Sequence, residues 1–175
     1  NGRYAPPTYQ FRLINSTGDV VWVDCRSSTI QWEGAMAVLA CCFDITDHVL
    51  AEKAQERTDK LFSKVFQTSP DFITLSRLDD GTYVDVNQSF TELFGFTKDD
   101  VLGKTAADFG IWVNARDRDA LVARLAMEGS VRGFEAKGRD KFGGLHDMLL
   151  SADIISYENQ QILLIIGRDI SERKR

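Results

Sequence analysis

The sequence is poor in the residues that build most catalytic and metal sites. Its 175 residues include three cysteines, two histidines and three prolines. The cysteines (Cys25, Cys41, Cys42) are odd in number and lack metal-ligand spacing. That excludes a disulfide-stapled scaffold and suits a reducing compartment. Cys41 and Cys42 sit side by side in an extended segment, so they point to opposite faces and cannot share one metal. Packing rather than reactivity is expected of them. No apolar run approaches the roughly 18 residues of a membrane span; the longest, Ile162–Ile166, stops at Gly167. No secretory signal is visible at Asn1.

Positive charge is also scarce. Lys and Arg number 21 against 26 Asp and Glu, a net charge of -5 and a pI near 5.1, which argues against a general nucleic-acid grip. Gly103-Lys104-Thr105 ends like a phosphate-binding loop, but Lys98 stands where that loop needs its first glycine. His48 opens a helical stretch without the acidic neighbour and downstream proline of a phosphoacceptor helix. His146 falls in a strand and is expected to be half-buried. Asp71, Asp79, Asp80, Asp99 and Asp100 fall in turns and caps. No Ser/His/Asp arrangement can be argued from spacing.

What remains has globular proportions, 43% hydrophobic and 27% charged, with length for one domain or one and part of a second. The chain also repeats itself. Residues 1–46 laid on 126–171 align without a gap: Tyr9 meets Phe134, Arg12 meets Lys137, Gly18 meets Gly143 and Glu33 meets Glu158. Leu39 meets Leu164, and Asp44-Ile45-Thr46 meets Asp169-Ile170-Ser171. Between the copies, Asp47–Phe66 has helix composition, with Thr46 as candidate N-cap and Pro70 forcing an end. Ala51, Ala54, Thr58, Leu61 and Val65 form a thin coiled-coil stripe on it; an ordinary linker helix fits equally well.

The second copy is longer. Phe72–Leu75 and Thr82–Val86 read as a hairpin about Asp79-Asp80-Gly81. Asn87 caps a short helix carrying Phe90, Leu93 and Phe94, and Thr97–Asp100 reads as a capping box. Asn114 and Asp117 open a longer helix to Glu128 with Leu121, Val122 and Leu125 inward. Three strands follow, Val131–Arg139, Leu145–Ser156 and Gln161–Asp169. The fold class is α+β, with a five-stranded antiparallel sheet carrying helices on one face. His146, Met148, Leu150, Ala152 and Ile154 share the expected inner face, and Leu145, Leu149 and Ile155 the outer one. Ile162–Ile166 is apolar on both faces, so a helix or a second chain is expected over the outer side.

This order resembles a PAS domain. The strongest local likeness is Tyr83-Val84-Asp85-Val86-Asn87-Gln88-Ser89-Phe90, then Leu93–Thr97, Asp99–Lys104 and Asp117-Arg118. Gly167–Lys174 resembles the Asp-Ile-Thr exit that joins such domains to a signalling helix. The expected division is 1–46 as the last three strands of a first PAS domain, 47–66 as a linker helix and 67–175 as a complete second one. The first is expected to be completed by upstream residues or by a partner chain.

The resemblance implies a cytoplasmic, non-catalytic sensory module of a bacterial multi-domain protein, a homodimer that contacts neither nucleic acid nor membrane. Output is expected beyond Arg175, in a histidine kinase or cyclic-dinucleotide synthase. Asp44, Ile45, Thr46, Asp169, Ile170 and Ser171 are the expected signal junctions. Phe90, Phe94, Phe109, Trp112, Leu121, Leu125, Phe134 and Met148 either fill the core or line a ligand cavity. No metal site or resident cofactor is expected. A flavin-linked redox sensor is the rival reading, restricted to non-covalent flavin because residues 61–175 hold no cysteine. No histidine lies between Asn114 and Glu128 either, where haem-binding relatives place their proximal ligand.

Overall fold

The computed structural model describes residues 8–157 and 159–174. The chain divides into two units, Asn1–Leu61 and Phe62–Arg175. In the first, β1 (Thr8–Ile14), β2 (Val20–Trp32) and β3 (Ala35–Asp44) form an antiparallel sheet in that order. The β2–β3 turn holds Glu33 at φ 50° and Gly34 at φ 83°, the paired positive values of the turn that follows strand twist. Its aligned partner Glu158 lies outside the described residues, as do residues 1–7 and Arg175. Only Val23 and Cys25 are buried in these three strands.

Helix α1 covers Thr46–Thr68, slightly longer than its composition suggested. The expected Thr46 cap is corrected. Val49 N–H bonds the Ile45 carbonyl at 3.0 Å, which makes Ile45 the N-cap and Thr46 the first helical residue. The Thr46 hydroxyl is occupied elsewhere, accepting from Trp22 N–H at 2.9 Å.

The second unit holds β4 (Phe72–Arg77), β5 (Tyr83–Val86), α2 (Gln88–Phe94), α3 (Lys98–Val101), α4 (Ala115–Glu128), β6 (Ser130–Arg139), β7 (Leu145–Tyr157) and β8 (Gln160–Asp169). Its antiparallel sheet runs β5-β4-β8-β7-β6, so its first strand in the chain, β4, pairs with its last, β8. The α+β class and five-stranded sheet are as the pattern of elements predicts. Met148, Leu150 and Ala152 face the helices, while Leu149 and Ile155 lie exposed on the other side. Phe90, Phe94, Leu121, Leu125 and Val131 close the core, each burial being worth about 1.5–3 kcal/mol gross.

Asn87 ties these layers together. It caps α2 by accepting from Phe90 N–H at 3.1 Å, and also accepts from Ile73 N–H at 2.8 Å. Its amide donates to the carbonyls of Phe66 at 3.1 Å and Asp71 at 3.0 Å. All four bonds of a fully buried amide are thereby made, and they bind the end of α1 to β4 and α2. The Thr97–Asp100 capping box and the Asn114 cap of α4 form as the spacing predicts.

Candidate functional site

The two Asp-Ile-Thr/Ser segments adopt one geometry. In the first copy Asp44 Oδ1 accepts from Thr46 N–H at 2.9 Å, Ile45 N–H bonds the Trp22 carbonyl at 2.9 Å, and the Thr46 hydroxyl takes the Trp22 amide. In the second, Asp169 Oδ1 accepts from Ser171 N–H at 2.8 Å. Ile170 N–H bonds the Asp147 carbonyl at 2.8 Å, and the Ser171 hydroxyl accepts from Asp147 N–H at 2.8 Å. Each motif fills the hydrogen bonds that a strand loses where the chain turns away. Ile170 is buried and Ile45 half-buried, so the apolar middle residue anchors the exit.

Asp169 has a second partner. His146 Nδ1 stands 2.9 Å from Asp169 Oδ2, and His146 Nε2 stands 3.1 Å from Asp140 Oδ2. Both aspartates meanwhile use Oδ1 for backbone amides. Only the imidazolium donates from both nitrogens, so the doubly protonated ring completes this arrangement. Burial pulls the His146 pKa down, but the bonds to Asp140 and Asp169 outweigh it and the net shift is upward. Arg168, the chain neighbour of Asp169, pairs with Asp71 at 2.7 and 2.9 Å.

A cavity of about 40 Å³ lies between the sheet and the helices. Of the eight expected wall residues, Phe90, Phe94, Trp112 and Met148 line it. The other four stand elsewhere. Leu121 and Leu125 are sealed in the core, and Phe109 and Phe134 pack against it half-buried, because the inner face of α4 is spent on β6 and β7.

The reading from spacing missed the cavity's polar side. Strand β4 turns Thr74 and Ser76 inward beside Phe72, and Tyr83 and Arg118 complete that wall. None of the three hydroxyls, nor the Arg118 guanidinium, has a hydrogen bond or ion pair among the described residues. Every fully enclosed side-chain polar atom there is partnered, so these groups open onto free space. Burial holds the Tyr83 phenol well above its ordinary pKa, with the nearby Arg118 charge working against that. Arg118 lies against Gly81, where a Cβ would stand 2.5 Å from its Nη2. A side chain at 81 would displace the guanidinium, and the φ of +76° there is a further reason for glycine. A separate cleft of about 330 Å³ shares Ala106, Trp112 and Arg118 with the cavity.

The family model described as "PAS domain" matches residues 5–47 and 70–172. The chain belongs to the PAS domain family. A methyl sulfide methyltransferase-associated sensor of Methanosarcina acetivorans is 30% identical over 132 residues, which is 74% of this chain and 13% of that protein. Among solved structures, the PAS domain of an HTR-like protein from Haloarcula marismortui is 27% identical with a TM-score of 0.59. It covers 69% of this chain and 98% of that one. A PAS domain from Colwellia psychrerythraea, 23% identical with a TM-score of 0.56, covers 65% and 98% and shows the same fold. In PAS terms, the family match falls on both copies and leaves most of α1 unmatched. PAS domains are sensory, and no helix among the described residues is long and apolar enough to cross a membrane.

Proposed function

We propose that this segment relays a signal by mechanical coupling at its two strand exits. A change in the core of the second PAS copy displaces β7 and β8. The Asp169-Ile170-Ser171 exit converts that displacement into motion of whatever follows, and Asp44-Ile45-Thr46 does the same for α1. The observation that carries this reading is the recurrence of one hydrogen-bond pattern at both exits. Structure that is copied on unlike surroundings is selected by the exit, not by the packing around it.

The active form in this reading is a homodimer, with an output domain such as a histidine kinase or cyclic-dinucleotide synthase in the same chain. Leu61, Phe62 and Val65 are exposed on α1, an apolar stripe that a second helix would cover. The deciding experiment uses the full-length protein. Asp169→Ala should abolish stimulus-dependent output while ligand binding and the circular dichroism spectrum stay unchanged; undiminished output would overturn the coupling model.

A second reading concerns the input. The unpartnered Arg118, Thr74, Ser76 and Tyr83 favour a ligand of few heavy atoms, polar or anionic at one end. A space of about 40 Å³ lies far below the about 300 Å³ at which ordinary ligand pockets begin. That favours a small metabolite over a flavin.

A further inference from the structure

The first PAS copy carries an unassigned pair of thiols. Cys25 and Cys42 face each other in the β2–β3 register, with their sulfurs 3.0 Å apart and both in the free form. The class of this pair follows from the exit geometry. Ile45 N–H bonds the Trp22 carbonyl, and bonded and non-bonded pairs alternate along an antiparallel ladder. Three steps on, Cys25–Cys42 is therefore a non-hydrogen-bonded pair. Such pairs bring Cα atoms to about 4.5 Å, inside the about 4.4–6.8 Å that a disulfide spans. The strands need not move apart or slip for a bridge to close.

The two thiols differ in access. Cys25 is 3% exposed, whereas Cys42 is open to solvent. Cys41 projects from the opposite face of β3 and has no place in the pair. In the second copy the aligned positions, Leu150 and Gly167, are also register partners but carry no sulfur. The pair stands two residues before Asp44, next to the hydrogen bonds that hold the first exit.

We propose that Cys25 and Cys42 are a reversible redox pair, oxidised by hydrogen peroxide to a cross-strand disulfide that pins β2 to β3 beside the Asp44-Ile45-Thr46 exit. The exposed Cys42 thiolate attacks one peroxide oxygen, and the O–O bond breaks. The released hydroxide takes up the thiol's proton as water and leaves Cys42 as a sulfenic acid. The Cys25 thiolate then attacks that sulfur, the S–S bond forms, the S–O bond breaks, and a second water departs with the Cys25 proton. Two thiols give up two electrons and two protons, and one peroxide becomes two waters. The contact with Cys25 holds the Cys42 thiol above its ordinary pKa, so the first step quickens as pH rises. A dithiol reductant reverses the bridge by exchange.

The test treats the purified chain with hydrogen peroxide, traps remaining thiols with iodoacetamide and weighs the intact protein. Alkylatable thiols should fall from the three in the sequence to one, Cys41, with a loss of about 2 Da that dithiothreitol reverses. Cys41→Ser should still form the bridge, and Cys25→Ser and Cys42→Ser should not. Three thiols persisting after treatment would overturn the proposal. So would irreversible gain of oxygen at Cys42 without the 2 Da loss seen at about equal peroxide, or a bridge that links two chains. The readout is independent of signalling output, so its failure leaves the relay model standing and the reverse also holds.

Discussion

The two PAS copies share three antiparallel strands in one register and the exit that follows them, but not what packs around them. Asp44, Thr46 and Trp22 make the bonds that Asp169, Ser171 and Asp147 make, although the surroundings differ. The second sheet has helices packed on one face and a continuous core. The first exposes Met36, Val38, Leu39 and Phe43. Where the second copy places His146 against its exit aspartate, the aligned residue of the first is Val21. Where the first copy pairs two cysteines, the second pairs a leucine with a glycine. The strands and the exit are thus the common part, while a different chemistry stands beside the exit in each copy: an imidazole between two carboxylates in one, two facing thiols in the other.

The contrast breaks most sharply at Asn87, whose side chain joins the end of α1, β4 and α2 in the second copy. Asn87→Ala removes all four side-chain bonds at once and leaves the Phe66 and Asp71 carbonyls and the Ile73 and Phe90 amides without them. Buried groups left unpaired cost about 1–3 kcal/mol each when no water reaches them, and a lost cap about 1 kcal/mol. A loss of about 3 kcal/mol is expected, read by urea denaturation through Trp112, the second unit's own tryptophan. A change below about 1 kcal/mol would show that water replaces the amide and that Asn87 does not join the layers.

The aligned pair Gly167 and Cys42 gives a smaller and more specific contrast. A Cβ on Gly167 would fall on the Phe72 ring, and Leu150 Cδ2 would lie 2.7 Å away. Gly167→Ala should therefore cost about 1–3 kcal/mol through overpacking. Cys42→Ala, at the same position of an exposed sheet, should stay within about 0.5 kcal/mol. Equal effects in the two denaturation curves would mean that the copies are packed alike, contrary to their burial.

Much of this was legible from residue order. The strand pattern, the caps at Asn87, Thr97 and Asn114, and the two exits each have a local physical signature: an alternation, a capping side chain, or a polar triplet ending an apolar strand. The polar cavity wall was not legible. In Phe72–Arg77 both faces offer apolar residues, and Ile73 and Leu75 look the better core. Only pairing with β8 decides that Phe72, Thr74 and Ser76 face in. Arg118 likewise carries no local sign of facing a cavity; only Gly81 and Tyr83 beside it place it there. The Cys25–Cys42 contact was within reach. Counting outward from a two-residue turn at Glu33-Gly34 brings them opposite, but that needs the turn placed to the residue, because a slip of one reverses every side chain.

The finest test of the contrast is titration. His146 faces Asp140 from the β6–β7 turn, Asp169 from the end of β8, and the edge of Phe94 from α2 at 6.2 Å between ring centroids. Its folded pKa is raised above 6.5, so the folded state binds the proton more tightly than the unfolded state does. Its stabilisation is complete below the unfolded value and is lost as pH rises through the folded one. Asp140 and Asp169 act in the opposite sense. The hydrogen bonds from His146 and, for Asp169, from Ser171 hold them below their ordinary values despite burial. Their contribution is present above the unfolded carboxylate pKa and is lost as pH falls through the lowered one. The second unit should be most stable between these limits, with melting temperature declining on the alkaline side of the histidine titration. His146→Gln keeps one hydrogen-bonding contact and should flatten that alkaline decline, while also weakening the part of the acid limb that Asp140 and Asp169 owe to the ring. The first copy, with valine at the aligned position, should show no such decline. An NMR titration placing the His146 midpoint at or below the ordinary histidine value would remove the charged bridge, and with it the pH-dependent half of the comparison.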